Sequence, residues 1–423
     1  MQPRALAITG QPMRKPILFD ITMPLPHAVD PFTTGIGRVE RAWLSLLASA
    51  PEPAYFFLEH RGTVSVLGPK AGQVLANWIA RRDPADLPPL SRLLLRLGRT
   101  RAALRFAVMR HALLRRVPAG DTDRLLPHLR RLFPAGAWFL GVSHRPMPEA
   151  RFRTFRAAGV KTAILIHDTL PLDHPEWHFE DSTAAAALVR ETLRDADLIL
   201  CNSAVTRADY LRNARMLAPD LPPPPAVVAH LGLHDRPAVP PGPLPPGIAP
   251  DRPLFMALGT IQPRKNLGLL VEAWERMATR IPAEHLPQLV IAGSWGWKVN
   301  DLRARLDRSP LRGTAIHVLD RPDDATVQAL LRAVNALLMP SFAEGYGLPL
   351  MEAARDGIPV IASDLPVYRE IAGTYPAYCP PDAPEDWITR ILSFTGPPRR
   401  LAPPPIPTWQ AHFATVRAAM DAT

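Results

Sequence analysis

Short apolar, β-branched runs alternate along this chain with stretches of helical periodicity, and that alternation limits the fold more than any other feature. Candidate strands are residues 16–21, 54–58, 138–142, 162–167, 198–202 and a short 226–229. After these come 254–258, 289–292, 316–319, 336–339 and 359–362. Strands alternating with helices form parallel sheets covered on both faces. Residues 234–253 interrupt the pattern with prolines and no period, and read as an extended linker. The expected architecture is α/β. Domain one is residues 1–234, the linker 235–253, domain two 254–400, and a terminal segment 401–423 follows. Two such sheets face each other across a crevice at the carboxyl ends of their strands, where ligands of open α/β sheets bind.

Composition excludes several classes. With 47% hydrophobic and 21% charged residues in 423, the chain is neither disordered nor fibrous. No apolar run reaches the roughly 18 residues of a spanning helix, and Met1–Lys15 lacks the apolar core of an export signal. Cys201 and Cys379 are too few for a disulfide framework or a four-cysteine zinc site, and fit a reducing, cytoplasmic compartment. The formal charge of +10 is concentrated. Residues 71–133 hold 13 Arg, no Lys and 4 Asp, a net of 13 − 4 = +9. This basic stretch reads as helical from an N-cap at Ser91, with Leu93, Leu94, Leu97, Leu104, Phe106, Val108 and Leu113 among the arginines. It is a candidate for an anionic membrane surface on the inner face of the cytoplasmic membrane. No nucleic-acid partner is expected, because no aromatic interleaving or binding motif accompanies the arginines.

The loops after the strands carry the chemistry. In MPSFAEGYGLPLMEAARDG, a loop from Pro340 to Leu348 with Glu344, Gly345 and Gly347 leads into a helix opening at Pro349 and stopping at Gly357, with Glu352 in its first turn. Free backbone N–H groups ahead of a helix make an anion cradle, although the same glycines also suit a plain tight turn. In LGTIQPRKN, Arg264 and Lys265 sit just before a helix whose expected N-cap is Asn266. Adjacent cations at that place neutralise a diphosphate, or stand as two solvated loop charges. TGIGRVER places Gly35 and Gly37 ahead of another helix, short of a full G-x-G-x-x-G. His167 and Asp168 end one strand, and His144 follows another. Asn202 and Ser203 either touch ligand or cap the next helix. No metal is expected. Asp121-Thr122-Asp123 reads as a turn beside Gly120, and the 13 histidines show no H-E-x-x-H spacing.

Taken in order, these segments resemble the family 4 retaining glycosyltransferases of GT-B fold, over roughly residues 16–70 and 135–415. The most specific part is E-x7-E, Glu344 to Glu352, inside EGYGLPLMEA. GTIQPRKN, HDTLPLDHPE and ADLILCNS are similar to the bacterial mannosyltransferase branch. The segment around Trp409 resembles the terminal helix that returns to the first domain in this fold. The basic insert has no counterpart in the resemblance. The resemblance implies a hexosyltransferase using a nucleotide-sugar donor, with no cofactor, and a glycan or lipid-linked glycan acceptor. It implies that Arg264 and Lys265 hold the donor diphosphate, that Glu344 binds sugar hydroxyls and Glu352 the ribose, and that His167 lies near the reacting carbon. Asp168, Gly35, Gly37, Gly345, Tyr346, Gly347 and Leu348 would complete the donor site. Mannose from GDP-mannose is the expected donor; UDP-glucose-type and dTDP-rhamnose-type sugars are alternatives. The competing readings are a nucleotide-sugar epimerase on the same fold, a two-carboxylate glycoside hydrolase, and a non-catalytic membrane-surface protein.

Overall fold

The computed structural model describes residues 15–29, 35–178, 182–234, 240 and 242–423. Its first sheet is built from β1 (Ile17–Asp20), β2 (Tyr55–His60), β3 (Thr63–Leu67), β4 (Ala112–Pro118), β5 (Ala137–Gly141), β6 (Val160–Ile166), β7 (Leu198–Cys201) and β8 (Ala226–Val228). Their order is β4-β3-β2-β1-β5-β6-β7-β8, parallel except for the antiparallel β2–β3 and β3–β4 pairs. The second sheet holds β9 (Leu254–Leu258), β10 (Gln288–Ala292), β11 (Ile316–Leu319), β12 (Ala336–Met339), β13 (Val360–Ser363) and β14 (Ala377–Cys379). Its order is β11-β10-β9-β12-β13-β14, parallel throughout. β1, β5, β7, β10, β12 and β13 are buried along their whole length, as strands covered on both faces must be.

Both sheets contain a switch point, between β1 and β5 and between β9 and β12. There the chain departs in opposite directions and leaves a crevice. The two halves share a buried cluster containing Trp43, Leu231, Tyr346, Trp409 and Phe413. The helix Trp409–Ala422 returns to the first half: Phe413 packs on Trp43 with ring centroids 4.6 Å apart, and Trp43 Nε1 donates to His412 Nε2 at 3.2 Å. Gly232 permits this return, since a Cβ there would lie 2.1 Å from the Trp409 nitrogen.

Three expectations need correcting. The basic stretch is not one helical insert but part of the first domain. Helices Pro69–Arg81, Pro89–Arg96 and Thr100–Met109 are followed by edge strand β4 and helix Thr122–Leu132. Gly98, at φ +70, separates the second of these helices from the third, and pairing with β3 makes Ala112–Pro118, with Arg115 and Arg116, a strand. Ser91 lies within a helix and donates to the Ala103 carbonyl at 2.8 Å rather than capping. The linker is extended but not free. Of its described residues, Ile248 is buried, Ala249 exchanges two hydrogen bonds with the Gln288 amide, and Arg252 donates to the Leu286 carbonyl. Thr34 of TGIGRVER and residues 235–239 and 241 of the linker lie outside the described residues.

Candidate active site at the domain cleft

Because β9 and β12 are neighbours, the loops that follow them meet. Residues Pro263–Lys265 form a single 3-10 turn, and its Arg264 carbonyl accepts from the Phe342 N–H at 2.8 Å. Asn266 does not cap the next helix with its side chain. It adopts φ +52 and spends its amide on the carbonyls of Pro340 and Pro381, at 3.1 and 2.7 Å. That clasp holds Arg264 and Lys265 against Glu344. Lys265 Nζ lies 2.5 Å from Glu344 Oε1, Arg264 pairs with the other carboxylate oxygen, and Ser341 donates to Oε1 at 2.8 Å. Burial alone would raise the Glu344 pKa, but Arg264 and Lys265 overcome it and hold the group at about 2. Burial, reinforced by Arg264, lowers Lys265 in spite of Glu344. An ammonium only 14% exposed and so placed gains from any further negative charge.

Glu344 leads into Gly345, Tyr346 and Gly347, whose N–H groups are bonded by no described residue. Gly347, at φ +122, caps the helix Leu348–Arg355, and a Cβ there would strike the Tyr368 ring at 2.8 Å. Gly345 meets the first domain. A Cβ on it would come within 2.6 Å of the His167 carbonyl oxygen and 2.9 Å of Asp168 Cβ. His167 and Asp168, after β6, therefore face the Glu344 loop directly. The Tyr346 side chain points elsewhere, donating to the Leu231 carbonyl at 3.0 Å, so only its backbone belongs to the loop's N–H row.

His167 is buried and its Nε2 bonds the Val142 carbonyl at 2.7 Å. A carbonyl only accepts, so Nε2 carries the hydrogen and Nδ1 is the acceptor of a neutral ring. Burial first, and then His144, lower its pKa to about 4, which keeps it neutral at neutral pH. Asn202 donates to the His167 carbonyl at 2.8 Å, while Ser203 caps the helix Ala204–Leu217. Of the two roles left open for that pair, Ser203 takes the capping one, while Asn202 does neither and instead holds the His167 backbone. Asp121 likewise caps the helix Thr122–Leu132.

Gly35 and Gly37 are not in a loop before a helix: Gly35 begins the helix Gly35–Ser49, and Gly37 is buried within it. Gly35 still faces the second domain, with Leu348 Cδ1 3.9 Å from a Cβ built on it. The next residue, Arg38, pairs with Glu352 across the cleft. His234 fastens the bridge, donating to the Arg38 carbonyl at 2.8 Å and accepting from Arg355 at 2.6 Å on its own carbonyl. Sequence reasoning missed Arg38, Ser341 and Tyr368, although Arg38 and Ser341 lie inside the motifs that drew attention. It also missed a closure at the mouth. Trp177 stacks on His174 and on Phe342, with centroids 4.1 and 5.5 Å away, and Trp297 donates to the Trp177 carbonyl at 2.8 Å. Beside Lys265, within the second domain, lies a small cavity of about 10 Å³.

Comparison with known proteins gives this geometry a family. Residues 252–395 match the model of glycosyl transferases group 1. The chain is 31% identical over 246 residues to the serotype-specific mannosyltransferase WbdA of Escherichia coli, covering 55% of this chain and 29% of that protein. It is 31% identical over 116 residues to the O-antigen chain mannosyltransferase B of E. coli, covering 27% and 30%. The matches thus span under a third of the length of these curated relatives. The lipopolysaccharide outer core galactosyltransferase WaaB, in its apo form, superposes with TM-score 0.53 at 14% identity, covering 96% of this chain and 99% of that one. The fold is GT-B: two Rossmann-like domains face each other, and the Arg264–Lys265–Glu344 cluster lies on the cleft side of the second.

Proposed function

We propose that the chain is a retaining glycosyltransferase of family 4 type that moves a hexose, mannose from GDP-mannose, onto a lipid-linked or polysaccharide glycan. The observation that carries this reading is the convergence of Arg264, Lys265 and Glu344 with unbonded loop N–H groups, opposite neutral His167. The mannosyltransferase relatives support the choice of sugar. When the glycosidic bond to a nucleoside diphosphate breaks, negative charge gathers on the β-phosphate. Arg264, Lys265 and the N–H groups of Gly345 to Gly347 are already aimed, so little reorganisation accompanies the step. Their attraction grows as charge develops, and this differential binding accelerates the reaction. Two cations supply the positive charge, and no metal or cofactor enters the proposal. Glu344 trades its salt bridges for sugar hydroxyls as the phosphate takes over the cations, and Glu352 leaves Arg38 for the ribose. Nδ1 of His167 accepts from a donor-sugar hydroxyl. Donor entry requires the cleft to open, parting Arg38 from Glu352 and Trp177 from Phe342.

The protein is placed in the cytoplasm, peripheral on the inner face of the membrane. Supporting this, five of the nine exposed large apolar side chains among the described residues, Leu90, Leu93, Leu97, Phe106 and Leu113, share one region with exposed Arg92, Arg96, Arg99, Arg101 and Arg110. Among the described residues, no helix is long and apolar enough to cross a membrane.

A donor screen tests the reading: thermal shift with nucleoside diphosphates and nucleotide sugars, with and without chelator, followed by product release. GDP-mannose should raise the melting temperature and be consumed when an acceptor is added. If no nucleotide shifts the wild type, the donor-site assignment is wrong.

A further inference from the structure

A second cationic site lies on the first domain, outside the cleft cluster. A cavity of about 240 Å³ is lined by His60, Arg61, Thr63, Ser65, Arg105 and Arg116, with Leu58 and Met109 beneath. No acidic residue lines it. None of its three arginines forms an ion pair with a carboxylate among the described residues. Glu59, next in sequence, turns to the other face of the sheet and binds Arg145.

The local backbone builds this arrangement. β2 and β3 are joined by the tight turn Arg61–Gly62, and β3 and β4 pair with an irregular register between Val64 and Val66. A bulge in β4 places Arg116 at φ +49, and the turn places Arg61 at φ +48. Two of the six non-glycine residues with positive φ among the described residues therefore line one small cavity. Such conformations are uncommon for side chains with a Cβ and are stored mainly where a site requires them. Arg105 reaches in from the helix Thr100–Met109, with Nη1 2.7 Å from His60 Nε2. Burial first, and then Arg105, Arg61 and Arg116, depress His60, so the imidazole is neutral and acts as acceptor. Ser65 Oγ accepts from the Arg116 N–H at 3.1 Å and keeps its own hydrogen to donate. The cavity thus offers guanidinium groups and a hydroxyl as donors, with unrelieved repulsion among the cations.

We propose that this cavity binds a phosphate or diphosphate group carried by the acceptor. Guanidinium forks match phosphate oxygens two at a time, and a dianion would relieve the repulsion that folding leaves in place. Position supports the role. His60 ends β2 and His167 follows β6, at the same edge of the sheet, three strand spacings apart, or about 14 Å. A phosphate held there would set an acceptor hydroxyl a few sugar residues away into the cleft. The exposed Phe106 and Leu113 flank the same region, where a lipid attached to that phosphate would lie. This assignment of the acceptor rests on the transferase reading of the cleft; the phosphate site itself does not.

The test uses the full chain and inorganic pyrophosphate. The His60 ring signals, assigned by their loss in His60→Gln, are followed by NMR during titration. Pyrophosphate should move them saturably, and Arg116→Gln or Arg61→Gln, both at exposed positions, should weaken the effect at least ten-fold while leaving the melting temperature and any nucleotide-induced thermal shift unchanged. His60 signals that do not move, or variants that bind as tightly as wild type, overturn the proposal. Vesicles containing phosphatidylglycerol, against neutral vesicles, separate the sources. Binding lost with the arginine variants assigns a lipid phosphate, and vesicle binding that ignores the variants while pyrophosphate binding weakens assigns a glycan phosphate. Failure of all nucleotides to shift the melting temperature while His60 still responds would remove the transferase reading and leave the phosphate site standing.

Discussion

The cleft and the β2–β4 cavity both gather cations, and they treat them oppositely. In the cleft the cations of the site are paired with acids: Arg264 and Lys265 share Glu344, and Arg38 holds Glu352. In the cavity Arg61, Arg105 and Arg116 lie together with no carboxylate partner among the described residues. Paired charges let a site fold, bury itself and close, at the cost of having to exchange partners when ligand arrives. Unpaired charges require an open, wet location and leave a standing demand for an anion. The depth of each site follows from this: the Glu344 and Lys265 side chains are only 6% and 14% exposed, whereas Arg61 and Arg116 are exposed.

The largest expected effect lies on the paired side. Glu344→Ala leaves two largely shielded cations, 19% and 14% exposed, without a counter-charge and should cost about 3 kcal/mol of unfolding free energy in denaturant titrations. A loss below about 1 kcal/mol would mean that water already compensates the cluster, as in the exposed cavity. Lys265→Met should reduce turnover at saturating donor on the order of 10²–10³-fold, by analogy with losing one transition-state donor. Turnover within a factor of a few of wild type would separate the cleft cations from catalysis.

Acid should weaken the folded state before it touches the Glu344 cluster. His167 and His412 fall from 6.5 to about 4, chiefly through burial, so the unfolded chain binds protons that the native one refuses. Stability should therefore be complete above pH 6.5 and decline as pH falls toward 4, on the order of 3 kcal/mol for His167 alone. Glu344, held at about 2, contributes with the same sign of shift but in a lower pH window; its share persists down to pH 4.5 and disappears only on approach to 2. A melting temperature that stays flat from pH 7 to 5 would show that His167 is solvated. The smallest effect is at the half-exposed bridge: Arg38→Ala should change stability by no more than about 1 kcal/mol. It should also tighten nucleotide binding, because Glu352 is freed, and weaker binding in a direct titration would instead make Arg38 part of the donor site.

Much of this was legible beforehand, for a local reason. The periods of strand and helix reside in neighbouring residues, so every strand of the second sheet except β14 could be read. β14, with three residues, is too short to show a period. β3 and β4 escaped as well. β4, in ALLRRVP, continues a leucine–arginine rhythm that also suits a helix, and its strand character comes only from pairing with β3. The Glu344 and Arg264–Lys265 motifs were visible because fixed spacings carry their chemistry. The Arg38–Glu352 bridge was not, because its partners are 314 residues apart and meet only when the two domains close.

The amino-acid order alone dictated the alternating α/β pattern, the proline-rich seam, the concentration of arginine and the residue types at each strand end, all consequences of short-range periodicity and composition. Assembly in three dimensions settled which charges are neutralised and which are left exposed to one another. That outcome depends on strand order, on one bulge and on one tight turn, and energies between charges follow distance and burial, which no stretch of sequence contains.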